Sequence, residues 1–259
     1  MLSKQVVIDL NLLAEVIKTF VSNPGLLFES NTARLIISAT RLKSAKDQGF
    51  IKIAPDSAYN IKNTGKHNLE NLNPAIAFGR PNALLGPLLA TDKIFFNIKS
   101  TKVLIIGPRT EAEIFLYMSA GFSQENIFAL DLISYSELIT QGDMHKMPFK
   151  DDFFDIVIFS WVLGYSTDQK LATKEAIRVL KNEGLLGIGE QWDPTDVAKT
   201  SSIMMQERGY TLEGTKTRSC KDLEELIGKN LKKIIFETEP IESQKERVGW
   251  ITCICEIKK

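Results

Sequence analysis

Two aspartates, each placed just behind or beyond an apolar run, carry the clearest chemical signal in these 259 residues. Asp131 ends the run Phe128-Ala129-Leu130-Asp131, 24 residues after Gly107. Gly107 in turn closes residues 102–107, Lys-Val-Leu-Ile-Ile-Gly. Asp143 lies in Gly142-Asp143-Met144, shortly before Met147-Pro148-Phe149, and a third run comes at Asp155-Ile156-Val157-Ile158-Phe159-Ser160. Buried parallel strands offer polar residues at their carboxyl ends, where open α/β sheets take up nucleotides. One carboxylate at a strand end accepts both hydroxyls of a ribose. A second can accept from an adenine amino group. The order therefore suggests adenosine held by two acids, with a charged group at the turn after the first strand.

Each acid also has a plainer reading. Asp131 could cap a helix, and Asp143 could be a turn residue after glycine. Arg109 sits in the turn Gly107-Pro108-Arg109-Thr110, immediately before a helix start at Thr110-Glu111-Ala112-Glu113, which has capping-box spacing. A guanidinium there can pair with a carboxylate in bidentate fashion, beside a helix N-terminus that favours anions. The plainer reading pairs Arg109 with Glu111 or Glu113 at the surface. Ser160 and Trp161 come after a strand and should line the same pocket, although Trp161 also fits a plain core position.

These residues need a parallel sheet to position them. Val103–Ile106 is continuously apolar, as in a strand covered on both faces. A helix from Thr110 should stop at Gly121, a C-cap glycine. Strands are expected at Asn126–Leu130, Asp155–Ser160 and Leu185–Gly189, with a helix at Leu171–Leu180 between the last two. Only eleven residues separate Asp131 from Asp143, about the length of a crossover alone. The helix there should be stunted or absent, and any strand at 137–141 short. After a helix ending near Leu223–Gly228, Lys232–Glu237 and Trp250–Glu256 should form an antiparallel hairpin.

Residues 1–98 read as helical. Val6, Leu10, Leu13, Ile17 and Phe20 make one stripe, stopped by Asn23-Pro24-Gly25. Asn31 is expected to cap a second helix that turns Leu35, Ile36, Ala39 and Leu42 inward. Residues 50–68 read as a loop or short hairpin. Asn73-Pro74 resembles another cap, and Ala83–Leu89 a helix interrupted at Gly86-Pro87. With no polar linker before Lys102, these helices should pack on the domain that begins there.

Composition narrows the classes. Lys plus Arg equal Asp plus Glu at 32 each, so nothing suggests a general grip on nucleic acid or anionic lipid. No basic, aromatic-rich strip speaks for nucleic acid. No apolar stretch approaches the ~18 residues of a membrane span. Asp9, Asn11 and Glu15 break any signal-peptide pattern. Three cysteines form no disulfide framework; Cys253 and Cys255 share a strand face and read as packing. Reduced thiols fit a cytoplasmic setting.

Five motifs in order make the chain resemble class I S-adenosylmethionine-dependent methyltransferases over about residues 100–257. They are Gly107 with its turn, Asp131, Asp143 with Pro148-Phe149, Phe154-Asp155-Ile156-Val157, and Ala176–Gly184, with a closing antiparallel strand at Trp250–Glu256. The resemblance implies an α/β fold: a doubly wound, mostly parallel Rossmann-like sheet with an antiparallel C-terminal strand. Residues 99–259 would be the cofactor domain and residues 1–98 a helical cap and substrate region. It implies S-adenosylmethionine as cofactor, bound by Gly107, Pro108, Arg109, Thr110, Asp131, Leu132, Asp143, Met144, Ser160 and Trp161. The turn departs from the family, which has three alternating glycines where this chain has Gly107-Pro108-Arg109-Thr110-Glu111.

Methyl transfer from a sulfonium is an in-line displacement, and an oxygen acceptor also needs its proton removed. The family often places a His four residues after the position of Trp161; here that residue is Tyr165. Candidates for the acceptor side are therefore Tyr165, His145 and Glu190, with Phe78, Arg80 and Trp192 in a lid. His67, in a polar loop, reads as a surface residue. The expected acceptor is a small molecule or a sugar hydroxyl, with O-methylation favoured. Two other classes compete: a methyltransferase-like interaction domain with weak or no cofactor binding, and a nicotinamide-dependent oxidoreductase. The second is disfavoured, since no Gly-x-Gly-x-x-Gly comes after the first strand.

Overall fold

A continuous apolar strand needs cover on both faces, and the chain supplies it. The computed structural model describes residues 9–22, 28–55, 57–73, 80–192, 205–210, 217, 219–241 and 249–259. Strand β2 (Val103–Ile106) is buried throughout. Leu104 and Ile106 join one core with Ala172, Ala176 and Val179 of α7 (Gln169–Val179) and Leu223 and Ile227 of α8 (Cys220–Ile227). Val103 and Ile105 face the other way, onto Leu84, Leu85 and Leu88 of α4 (Arg80–Leu89) and onto Leu116 and Tyr117 of α6 (Glu111–Ser119). Alternation along a strand thus assigns each residue to one of two helical layers.

The sheet has seven strands in the order β5-β3-β2-β6-β7-β9-β8. Their ranges are β3 Ile127–Asp131, β5 Thr140–Gln141, β6 Phe154–Ser160, β7 Leu180–Trp192, β8 Leu231–Thr238 and β9 Gly249–Ile257. Pairs β2–β3, β2–β6, β3–β5 and β6–β7 are parallel, while β9 runs antiparallel to both β7 and β8. The chain crosses from edge strand β5 back past β3 and β2 to β6, so the strand order reverses beside β2, and a cleft opens at the carboxyl ends there. The short interval after Asp131 behaves as its length requires. It holds only β4 (Ile133–Ser134) and β5, each two residues long, and no helix.

The N-terminal elements are part of this body. Strand β1 (Lys52–Ile53) pairs antiparallel with β4. Helix α2 (Asn31–Asp47) lies on α6, and α4 lies on β7 and β9. Two short helices complete the region, α3 (Thr64–Glu70) and α5 (Asp92–Phe95). No described helix is long and apolar enough to cross a membrane.

Several expectations for this region are corrected. Ser30, rather than Asn31, caps α2: its side chain accepts from the Ala33 N–H. The inward stripe of α2 is Arg34, Ser38, Leu42 and Ala45, while Ile36 and Ala39 face solvent. Polar Arg34 and Ser38 on the buried side leave this face without an apolar period. Gly86-Pro87 does not interrupt α4, which runs through Pro87 to Leu89. Helix α1 (Leu10–Ser22) forms as expected, but Leu10, Leu13 and Ile17 remain exposed rather than packed on the sheet. Val6, the stop at Asn23-Pro24-Gly25, Pro74 and Phe78 lie outside the described residues.

Candidate active site

The cleft is built from the turn upward. Gly107 takes φ +75° as β2 ends, and its N–H donates to the Leu130 carbonyl at 2.8 Å. A Cβ there would lie 2.6 Å from Val162 Cβ, so only glycine fits. Arg109 also takes a left-handed conformation, φ +59°. This is where the sequence departs from glycine, and the backbone still makes the glycine-like turn. The Arg109 N–H donates to Asp131 Oδ2 at 2.9 Å.

Asp131 is buried at the end of β3, with no helix after it to cap. Its Oδ1 accepts the Ile133 N–H at 3.0 Å. Burial raises its carboxyl above the usual range, against the backbone donors of Ile133, Arg109 and Leu132 and the Arg109 charge. Each carboxylate oxygen keeps acceptor capacity for a hydroxyl.

Asp131 lines one of two adjoining cavities. This one also meets Asn60, Leu132, Met144 and Tyr165. Apolar Met144 and Leu132 suit a base, and Asp131 a ribose. The other is lined by Arg80, Pro108, Arg109, Thr110, Glu113, Ser160 and Trp161. Gly107 borders both. Among the described residues, no carboxylate forms an ion pair with the guanidinium of Arg80 or Arg109; these groups donate to an amide oxygen, of Gln191 and Asn68 respectively. The chain's donors and acceptors therefore fit the three parts of S-adenosylmethionine: an apolar base site, a diol acceptor, and cations for a carboxylate.

Thr110 is the N-cap of α6, but its side chain makes no cap bond, so the capping box does not form. Both glutamates are drawn away from the helix end. Glu111 is buried against Arg41 of α2, at 2.6 and 2.9 Å. Glu113 accepts from Ser160 Oγ at 2.9 Å, and its other oxygen has no partner among the described residues. Burial raises the Glu113 carboxyl to about 8, with the Asp131 charge adding and Ser160 and Arg109 opposing. The surface pairing of Arg109 with Glu111 or Glu113 is thus not what forms.

Asp143 bonds within its own turn and to Asn60. Its Oδ1 accepts from the His145 ring at 2.5 Å and from the His145 N–H at 2.9 Å, and its Oδ2 from Asn60 at 3.3 Å. Burial raises its carboxyl, but bonds from His145 and Ser57 outweigh that and hold it at about 2. Its neighbours Gly142 and Met144 form the cavity wall, while Asp143 braces the loop. His145 is buried, with its second ring nitrogen 2.6 Å from Ser166 Oγ. Both nitrogens are engaged, so His145 ties the Asp143 turn to the segment after β6.

Tyr165 does reach the cavity, its hydroxyl 3.2 Å from His67 Nε2. His67 is not a surface loop residue: it lies on α3, its ring 5.7 Å from that of Tyr165. Burial and the charges of Arg109 and Arg208 depress it to about 4, so it is neutral at pH 7. Arg208 faces Nδ1 at 3.2 Å, which leaves Nε2 as the protonated nitrogen, donating to Tyr165. Glu190, buried on β7, accepts the Gly164 N–H at 3.0 Å. Burial raises it to about 7, against the Gly164 and Leu163 donors and the Arg80 charge. Trp161 is both core and wall: φ +54°, buried, its ring 5.7 Å from Trp250. Trp192 is half-buried against the sheet core.

Sequence reasoning missed Glu113, Asn60, Asn68 and the role of His67. Only their convergence on β2 and β3 gives them meaning, since Asn60, His67 and Asn68 lie in a region with no recognised motif.

Residues 117–188 match a family model described as a methyltransferase domain. No curated protein matches significantly. Among solved structures, an S-adenosylmethionine dependent methyltransferase from Mesorhizobium loti superposes with a TM-score of 0.51 at 13% identity, over 70% of this chain and 99% of that one. A SAM-dependent methyltransferase from Thermotoga maritima gives 0.46 at 16% identity, over 75% and 95% of the two chains. The first of these likenesses shows the fold; the family match falls on the segment running from α6 through β7. Residues 117–188 are thus similar to a methyltransferase domain, which implies S-adenosylmethionine as the cofactor.

Proposed function

We propose that this enzyme methylates an oxygen of a small molecule, with a sugar-type hydroxyl as the favoured acceptor. The observation that carries this is Glu190, a buried carboxyl held at about 7 near Arg80, a wall residue of the cavity. A base with that pKa is matched to removing a hydroxyl proton near neutral pH. When bound, the cofactor supplies an electrophilic methyl group on a sulfonium. The chain's own part is alignment and proton removal. Asp131 holds the ribose, Arg109 the carboxylate of the methionine moiety, and Met144 the base face. Neutral His67 donates to Tyr165, which frees the phenolic proton to orient the acceptor oxygen. His145 serves as a brace rather than as the base. A panel of hydroxylated and amino acceptors, assayed for methyl transfer from pH 5.5 to 9, tests the reading. Turnover on hydroxyl acceptors with a rise through pH 7 is expected; turnover confined to amines overturns it.

A further inference from the structure

The cavity beside Gly107 holds one carboxyl that the proposed reaction does not use. Glu113 is buried on α6, bonded through Oε2 to Ser160, and its Oε1 is buried with no partner among the described residues. An unpaired buried carboxyl oxygen is costly unless a ligand completes it. It lies in the same cavity as Arg80 and Arg109, whose guanidinium groups form no ion pair with a carboxylate among the described residues. One anionic receptor and two cationic ones in one small cavity match the two ends of an α-amino acid.

We infer that Glu113 is the receptor for the α-ammonium of the cofactor's methionine moiety, and that it gives up a proton when the cofactor binds. This rests on the cofactor site described above and adds a residue and a regulation to it. The surroundings set the direction. Asp131 on β3 disfavours the charge on Glu113, Arg109 at the turn favours it, and Ser160 on β6 donates to it, while Tyr117, one turn along α6, is kept neutral by burial and by Glu113. Arg80 of α4 completes the wall. Without ligand, Glu113 is raised to about 8 and is mostly protonated at pH 7. An incoming ammonium favours the carboxylate and pulls that value down. The O–H bond of Glu113 is broken, its proton passes to solvent, and the carboxylate pairs with the ammonium.

Titration calorimetry with S-adenosylhomocysteine, in buffers of different ionisation enthalpy, reads this directly. At pH 7 the wild type should release most of a proton on binding, and its affinity should rise between pH 6 and 7, by up to roughly tenfold. Glu113→Gln keeps the shape and the Ser160 contact. It should bind S-adenosylhomocysteine roughly tenfold or more weakly at pH 7, with no proton release and a flat profile. 5′-Methylthioadenosine, which lacks the amino-acid end, should bind both proteins equally. Unchanged affinity and proton release in the variant would overturn the inference. So would equal loss of both ligands, which would make Glu113 structural. A wild type that binds neither ligand would instead overturn the site assignment beneath it.

Discussion

Asp131 holds Arg109 through the main chain: its Oδ2 accepts the Arg109 N–H at 2.9 Å, across the cleft from β3 to the turn after β2. A left-handed arginine costs roughly 1–2 kcal/mol relative to its ordinary conformation. A charged hydrogen bond contributes about 1.5–3 kcal/mol, enough to offset that. The carboxylate expected to bind ribose therefore also shapes the turn where glycines are missing.

Asp131→Ala should for this reason do two things at once. Loss of the ribose bonds should weaken S-adenosylhomocysteine by about 10–150-fold, and the protein should also lose roughly 1–3 kcal/mol of stability. Calorimetry and urea unfolding measure the two effects. An unchanged dissociation constant would refute the ribose assignment.

Arg109 can be separated into backbone and charge. Arg109→Gly relieves the strained φ of +59°, so stability should change by less than about 1 kcal/mol. Arg109→Gly and Arg109→Ala should both weaken S-adenosylhomocysteine, while adenosine, which has no carboxylate, should bind nearly as before. Equal losses for both ligands would show that the turn, and not the guanidinium, was at fault.

Gly107 allows no such freedom. Gly107→Ala places a Cβ 2.6 Å from Val162 at φ +75°, so both strain and a clash oppose it. A loss of about 2 kcal/mol or more, with reduced cofactor affinity, is the expected result of thermal unfolding and titration. Wild-type behaviour would mean that the segment after β6 moves away easily.

Two acids give opposite pH signatures. The Asp143 carboxyl is lowered from 3.8 to about 2, so its contribution is complete above pH 4 and is lost as pH falls toward 2. Asp143→Asn should lose about 1–2 kcal/mol at pH 7 and much less at about pH 2.5. Glu190 is raised to about 7, and as a base it must be ionised, so kcat/KM should climb through pH 7. Glu190→Gln should lower the rate by roughly 10²–10⁴-fold and remove that limb. Retention of the limb would assign it elsewhere.

The sheet was legible because its signals are local and periodic. Buried strands, Gly121 one residue past the α6 C-cap at φ +107°, and the brevity of 132–142 each derive from composition and length alone. Asp131 was legible for the same reason, as the polar end of an apolar run. The bonding of Asp143 was not legible because its partner is decided by tertiary packing: His145 is two residues on, but its orientation depends on Ser166. Glu113 looks like half of a capping box, a local motif, but Ser160 draws its side chain inward. Asn60, His67 and Asn68 carry no periodic mark, and only the fold brings α3 over the strand ends.

The first hundred residues should prove divisible at α1. Leu10, Leu12, Leu13, Val16, Ile17 and Val21 of α1 are exposed, so their removal uncovers no core among the described residues. Beyond it the contacts are integral. Leu84, Leu85 and Leu88 of α4 are buried on the sheet, Arg41 neutralises buried Glu111, and Asn60, Thr64 and Asn68 line the cavity at Asp131. Removing three buried leucines alone costs several kcal/mol, comparable to the stability of a whole domain. Deletion of residues 1–22 should leave a monomer that melts within a few degrees of the full chain and binds S-adenosylhomocysteine normally. Deletion of residues 1–95 should give an aggregating product with cofactor affinity and methyl transfer abolished. Size-exclusion chromatography, thermal unfolding and titration of both truncated proteins decide the matter. If the protein lacking residues 1–95 stays soluble and binds the cofactor tightly, then residues 99–259 fold and hold it alone, and α2–α4 are a detachable cap.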